Sequence, residues 1–254
     1  MVKLKRKGVA APPTWNARVE ARLGGTASEF RRLAKRFERL RLNGARRRAG
    51  FVAYAPHVLP VGKTGKCEFP AVWRTVKAIK RMIAGMSNWH CAYCQSPVGA
   101  DQAGQVEHFQ PKNLFPTLAY DIGNYFLGCE ACNTQKLDKW PSGGGYVRPD
   151  EGKPASRFVF HEDGTVTSAP GDGDADVTIR DFELDRKGLC DTRKLVIEVQ
   201  LRLVWAVLGR AKLDADTKRG LVKELLVPRL FPYSAAINQS VRRAWRSAFP
   251  GTRL

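Results

Sequence analysis

Between Cys91 and Lys136 the chain gathers nearly all the residues whose types and spacing could do chemistry. It reads Cys91-Ala92-Tyr93-Cys94, then Val106-Glu107-His108-Phe109-Gln110-Pro111-Lys112, then Asn124, then Cys129-Glu130-Ala131-Cys132-Asn133 and Lys136. Each Cys-x-x-Cys pair can turn tightly enough to place two thiolates on one ion, and the two pairs together make a four-sulfur tetrahedral set suited to Zn²⁺. Such a set leaves zinc no open position, so Cys91, Cys94, Cys129 and Cys132 are expected to hold structure and leave any reaction to other groups. A finger this short has little apolar core, and zinc can supply about 10 kcal/mol of its folding free energy. His90 is a substitute ligand in type, but four thiolates already fill the shell. Inside the interval stands Glu107-His108, an acid followed directly by one of only four histidines. Hydrolysis of a phosphodiester needs an activated water, charge stabilisation at phosphorus and help for the leaving oxygen, and these residue types can provide them.

The order of these residues resembles the HNH endonuclease superfamily in its zinc-knuckle form. It is similar to a narrower group, the bacterial defence nucleases of the Septu (PtuB-like) and retron-associated HNH type. The resemblance rests on Cys91-Ala92-Tyr93-Cys94, Glu107 to Lys112, Tyr120-Asp121 with Asn124, Cys129 to Lys136, and Trp140-Pro141. A weaker trailing match takes in Thr178-Ile179, Leu184-Asp185, Leu189 and Arg193. The strong part covers about a fifth of the chain. The resemblance implies a ββα-metal (His-Me) finger in which His108 is the general base, with Glu107, Asn124 and Asn133 completing the catalytic set. It implies that Asn124 fixes the imidazole or organises the metal site. It also implies a second, catalytic cation on Glu107 and Asn133. Many HNH proteins carry His at the last position, and Asn133 there favours Mg²⁺ or Mn²⁺ with water and phosphate oxygens completing the shell. With an ordinary imidazole pKa of about 6.5, cleavage is expected to weaken as pH falls through that value. On a regular strand Glu107 and His108 point to opposite sides, so a twist or bulge is expected to bring them together. Lys112 and Lys136 either contact phosphate or cap the finger. Arg193 either touches substrate or forms an ion pair with the acidic segment. Group members of the Septu type work beside an ATPase, which implies a separate ATPase subunit as partner.

Charge points the same way. The net charge is +19, and residues 1–48 hold 15 Lys/Arg against 3 Asp/Glu, while residues 229–254 hold five Arg and no acid. Residues 150–191 are acidic, with 11 Asp/Glu against 5 Lys/Arg. A polyanion is attracted to the two ends and repelled by the segment after the knuckle. Nothing in the chain has the apolar length of a membrane span or the pattern of a secretory signal, so a cytoplasmic protein is expected, with Cys67 and Cys190 as free thiols. Gly62-Lys63-Thr64 fails the phosphate-loop spacing because His57 stands where glycine is needed. Gly171 to Asp176 reads as a loop that lacks the ligand set for calcium.

These residues must be positioned by mainly helical surroundings. Residues 1–25 read as a partly extended arm with a short helix near Asn16 to Leu23. Ser28 can cap a helix that buries Phe30, Leu33, Ala34, Phe37 and Leu40 and leaves Arg31, Arg32, Lys35 and Arg36 free for phosphate. One helix is expected from Pro70 to about Ile83, and a hairpin turning at Asp163-Gly164. A long helix is expected over 192–213 with Leu195, Val196, Val199, Leu203 and Val207 marking its apolar face, followed by helices over 214–227 and 234–248.

The expected architecture is α+β, a ββα-metal finger stapled by a four-cysteine zinc site and embedded in a mainly helical protein. Its parts are a basic arm and helix (1–50), a loop and helix leading into the finger (51–90), the finger core (91–141), an acidic loop and hairpin segment (142–191) and a helical region (192–254). The expected function is metal-dependent cleavage of DNA in anti-phage defence, with RNA cleavage and zinc-stapled binding without cleavage as the alternatives. Deleting residues 1–25 is expected to weaken binding and flatten its salt dependence.

Overall fold

The computed structural model describes residues 1–6, 10–42, 50–99, 104–229 and 231–254. The Arg46-Arg47-Arg48 run lies outside the described residues. The chain folds as α+β, mainly helical with two small sheets. Its elements in order are α1 (Trp15–Glu20), α2 (Ala27–Leu42), α3 (Phe51–Tyr54), α4 (Val72–Thr75), α5 (Lys77–Ser87), β1 (Gln105–His108), β2 (Tyr125–Gly128), α6 (Glu130–Lys136), β3 (Phe158–Phe160), β4 (Val166–Ser168), α7 (Gly173–Asp181), α8 (Lys187–Leu208), α9 (Ala215–Glu224) and α10 (Ser234–Ala248).

Strands β1 and β2 pair antiparallel with Glu107 opposite Phe126 and His108 opposite Tyr125. Helix α6 packs on β1 and α5 packs on β2, which completes the ββα unit and backs it with a buried helix. Ile79, Ile83 and Ala84 of α5 are fully buried in this contact layer. The expected single helix over 70–83 is broken at Val76, whose extended backbone caps α5. Thr75 and Val76 are both β-branched, and the Thr75 hydroxyl donates to the Val72 carbonyl at 3.0 Å, so local bonding competes with a continuous helix.

The N-terminal arm is docked, not free. Met1, Val2 and Leu4 are buried, and the Leu4 amide donates to the Pro149 carbonyl at 2.7 Å. Arg6 pairs with Asp150 and donates to the carbonyls of Ile122 and Tyr125 at 3.1 and 3.0 Å. Helix α2 begins one residue before Ser28, and the cap is Thr26, whose hydroxyl accepts the Glu29 amide at 3.1 Å. Phe30, Ala34 and Phe37 face inward as expected, and Phe30 and Phe37 meet the ring of Phe51.

Helix α8 turns a different face inward from the one its apolar residues suggested. Leu189, Cys190, Arg193, Ile197, Leu201 and Val204 are buried against α10 and its neighbours, whereas Leu195, Val199 and Leu203 are 60%, 52% and 49% exposed. The helix also starts five residues earlier and stops five earlier than the expected 192–213. The segment expected as a loop over 171–176 contains the start of α7, capped by Asp172 through the Ala175 amide at 3.0 Å. The β3–β4 hairpin turns at Asp163-Gly164 as expected, with Gly164 at φ +84°. A side chain at Gly164 would overlap the Cys190 carbonyl on α8, so the turn must be glycine both for its dihedral and for that approach.

Candidate active site

The four cysteines converge. The sulfurs of Cys91, Cys94, Cys129 and Cys132 all lie within 4.8 Å of one another, and those of Cys94 and Cys129 are 3.7 Å apart. A tetrahedron with Zn–S bonds of about 2.3 Å has edges near that length, so the donor set fits zinc. Two local devices arrange it. The first pair sits in a turn closed by the Gln95 amide on the Cys91 carbonyl, with Gln95 at φ +66°. In the second pair Cys129 is the N-cap of α6, its sulfur accepting the Cys132 amide at 3.5 Å. Arg186 approaches from the start of α8, its Nη1 3.7 Å from the Cys132 sulfur and its Nη2 4.0 Å from that of Cys129. Burial alone would lower the Arg186 pKa, but the charges of Cys132, Cys94 and Cys129 more than reverse this and hold it protonated. His90 stands outside the cluster, its Nδ1 3.0 Å from the Ser87 carbonyl.

His108 ends β1 and is 7% exposed. Its Nε2 lies 2.9 Å from the Ala119 carbonyl, which requires the hydrogen on Nε2 and leaves Nδ1 as the basic nitrogen. Among the described residues Nδ1 has no hydrogen-bond partner. Trp73 and Tyr125 press on the ring edge-on at 4.6 and 4.8 Å. Burial, with the Lys112 and Lys136 charges adding to it, pushes the imidazole pKa down to about 3 against the pull of the Ala119 carbonyl. The ring is therefore neutral far below the ordinary 6.5, contrary to the expectation that it titrates there.

Asn124 does not touch the imidazole. Its Oδ1 accepts the Gln110 amide at 2.8 Å, its Nδ2 donates to the carbonyls of Gln110 and Leu118 at 2.9 and 3.3 Å, and its own carbonyl accepts the Phe109 amide. These bonds tie both ends of the loop 109–124 together and so place Ala119, whose carbonyl also accepts the Tyr125 hydroxyl at 2.7 Å. The asparagine thus acts on the ring through the loop backbone.

A cleft of about 740 Å³ opens over this arrangement. Glu107, His108, Asn133 and Lys112 line it together, without a bulge in the β1–β2 register. Gly128 makes room beneath, since a Cβ there would sit 3.2 Å from the Glu107 Cβ and 3.8 Å from that of Asn133. The Asn133 Nδ2 donates to Gln105 at 2.5 Å, and among the described residues its Oδ1 has no partner, so it can serve as a donor atom for a cation. Glu107 is 2% exposed, with one oxygen 2.5 Å from the Lys136 Nζ and the other accepting the Tyr93 hydroxyl. One amide oxygen and one already paired carboxylate fit a hydrated Mg²⁺ or Mn²⁺ that takes most of its ligands from water and phosphate, and do not make a closed cage.

Several expected nucleic-acid contacts are placed elsewhere. Lys136 is 1% exposed and also donates to the His108 carbonyl at 2.7 Å, so it braces the finger from within and cannot reach phosphate. Arg193 is likewise buried, donating to the Gly164 carbonyl at 3.0 Å beneath the Phe160 ring, and forms no ion pair among the described residues. Arg31, Arg32, Lys35 and Arg36 are exposed on α2, as expected, but none of them lines the cleft. Lys112 does, with its Nζ 5.8 Å from the rings of Phe69 and Trp73. Arg74 and Lys80 line it too. Sequence reading missed both, and their only signal was their place on the polar side of the helical segment that leads into Cys91. His57 and His161 lie outside the cleft, paired with Glu29 and Thr167.

Residues 91–139 match the family model described as HNH endonuclease. The chain is 23% identical over 199 residues to Septu protein PtuB of Bacillus mycoides (strain KBAB4), covering 63% of this chain and 68% of that protein. It is 36% identical over 59 residues to Septu protein PtuB of Bacillus thuringiensis, covering 23% of each. The matched segment spans the cysteine cluster and the β1–β2–α6 unit, so residues 91–139 form an HNH endonuclease domain in a chain similar to Septu PtuB proteins.

Proposed function

We propose that the protein is a divalent-cation-dependent endonuclease that hydrolyses phosphodiester bonds in DNA. The observation that carries this reading is the His108 ring, held in the Nε2–H tautomer by Ala119 with Nδ1 unpartnered in a cleft shared with Glu107, Asn133 and three cationic side chains. In this reading His108 Nδ1 takes a proton from the attacking water. Arg74, Lys80 and Lys112 attract and orient the phosphate. Asn124 acts by holding the loop that sets the ring. Glu107 and Asn133 hold the cation, which when bound supplies charge stabilisation at the phosphoryl group and the leaving oxygen. The free thiols and the zinc set suit a reducing compartment, and we place the protein in the cytoplasm. Likeness to the Septu group supports a role in anti-phage defence beside a separate ATPase subunit.

The test is cleavage of plasmid, single-stranded DNA and structured RNA by purified protein with Mg²⁺ or Mn²⁺ and with EDTA. His108→Ala is expected to keep its zinc and fold and to lose about 10²–10⁴-fold in rate. Equal cleavage by both proteins would remove His108 as base. RNA cut in preference to DNA would correct the substrate, and binding without any cleavage would leave a zinc-stapled binding module.

A further inference from the structure

The carboxylate expected to take the catalytic cation is already held on both oxygens. Lys136 Nζ lies 2.5 Å from Glu107 Oε1, and the Tyr93 hydroxyl donates to Oε2. The two partners come from the two halves of the zinc knuckle. Tyr93 lies inside the first Cys-x-x-Cys turn, and Lys136 ends the helix capped by Cys129. All three side chains are buried, so neither solvent nor salt can screen the pair, and the ammonium is anchored a second time on the His108 carbonyl at 2.7 Å. The charges of Glu107 and Lys136 cancel, Asn133 is neutral, and Asp138 is outweighed by Arg74, Lys80 and Lys112 along the same cleft, so the pocket offers a divalent cation no net negative charge. A cation on Glu107 would also stand next to a buried ammonium.

We propose that Lys136 and Tyr93 latch Glu107 against divalent cations in the free protein, so that the cation binds together with nucleic-acid phosphate. The inference rests on the nuclease reading and on Glu107 as a cation ligand. The phosphodiester brings the negative charge that Lys136 removes, and by linkage cation and nucleic acid raise each other's affinity by the same factor. The latch keeps the cleavage centre incomplete until substrate enters.

The measurement is Mn²⁺ binding to the full, zinc-loaded chain, followed by the electron paramagnetic resonance of free Mn²⁺, without nucleic acid. Wild type is expected to bind weakly. Lys136→Gln, which keeps a donor for the His108 carbonyl but removes the charge, is expected to tighten Mn²⁺ at least tenfold. Adding Glu107→Gln to it should erase the gain. Tyr93→Phe leaves the ion pair in place and is expected to tighten Mn²⁺ several-fold, which keeps the test open if Lys136→Gln does not fold. An uncleavable phosphorothioate oligonucleotide is expected to tighten Mn²⁺ in wild type more than in Lys136→Gln. Affinity that is unchanged, weaker or undetectable in both Lys136→Gln and Tyr93→Phe would overturn the latch. Cleavage that still depends on His108 would then leave the nuclease reading standing by itself.

Discussion

His108 shows how a side chain that is basic in water becomes a neutral acceptor by placement alone. The ring is desolvated between Trp73 and Tyr125, faces the charges of Lys112 and Lys136, and keeps one hydrogen bond that favours its protonated form. Desolvation wins, and the folded pKa near 3 lies well below the unfolded value of about 6.5. The native state therefore binds fewer protons than the unfolded state between those values. The stability this group contributes is complete above about pH 6.5 and is lost as pH falls toward 3. In zinc-loaded, magnesium-free protein, nitrogen NMR of the imidazole is expected to show Nδ1 unprotonated and the ring neutral down to pH 5. A midpoint near 6.5 would show that the ring is solvated. Asn124→Ala is a second residue-scale test, because it strips partners from the Gln110 amide and from two carbonyls. A fully buried group left unpaired costs about 1–3 kcal/mol, and these half-buried ones less each. Denaturant melts should show a loss of about 1–3 kcal/mol in all, and cleavage should fall more than tenfold with His108 intact.

At the scale of elements, the pieces of the finger are too short to stand alone, and a metal on the four cysteines would join them. Helix α6 has seven residues, and strands β1 and β2 have four each. A helix that short is marginal in water, and a two-stranded ribbon needs packing to persist. The four sulfurs join the turn before β1 to the cap of α6, and Arg186 ties the start of α8 to the same cluster. Removing zinc with a strong chelator is therefore expected to abolish amide-exchange protection across 104–137 while α8 and α10 remain protected. Arg186→Gln should lose zinc to the chelator faster than wild type, because the thiolates lose the guanidinium that faces them. Equal rates would mean that Arg186 serves only the carbonyls of Phe182 and Glu183, to which it also donates.

At the scale of the whole molecule, two cationic surfaces are candidates for the nucleic-acid path, the cleft with Arg74, Lys80 and Lys112 and the exposed face of α2. Deleting residues 1–25 does not separate them, since it also removes the buried Met1, Leu4 and Trp15 and the Arg6–Asp150 pair. Replacing Arg31, Arg32, Lys35 and Arg36 together with Gln does. If all four meet duplex phosphates, the slope of log affinity against log salt flattens by about 0.9 for each phosphate no longer neutralised, with little change in stability. An unchanged slope assigns phosphate binding to the cleft. Within the arm, Arg6 is spent on the Ile122 and Tyr125 carbonyls and braces β2, while Lys3, Lys5, Arg18 and Arg22 stay exposed.

The sequence by itself marked the four cysteines that converge, and it singled out the acid–histidine step and the asparagines as candidates, because metal ligation and hydrolysis demand particular residue types at short, fixed spacings. It also marked the hairpin turn, through Asp163-Gly164, and the inward face of α2, through its helical repeat. What it could not hold was any property that depends on residues far apart in the chain. Leu195, Val199 and Leu203 have the spacing of a buried face, yet α8 turns Arg193 and Ile197 inward because α10 and the β3–β4 turn supply their partners. Lys136 is charged and follows the last cysteine, yet it is buried because Glu107, 29 residues earlier, lies beside it. Arg74 and Lys80 join the cleft only because α4 and α5 pack on the finger. Charge, burial and pKa are set by what surrounds a group, and only the tertiary structure decides that.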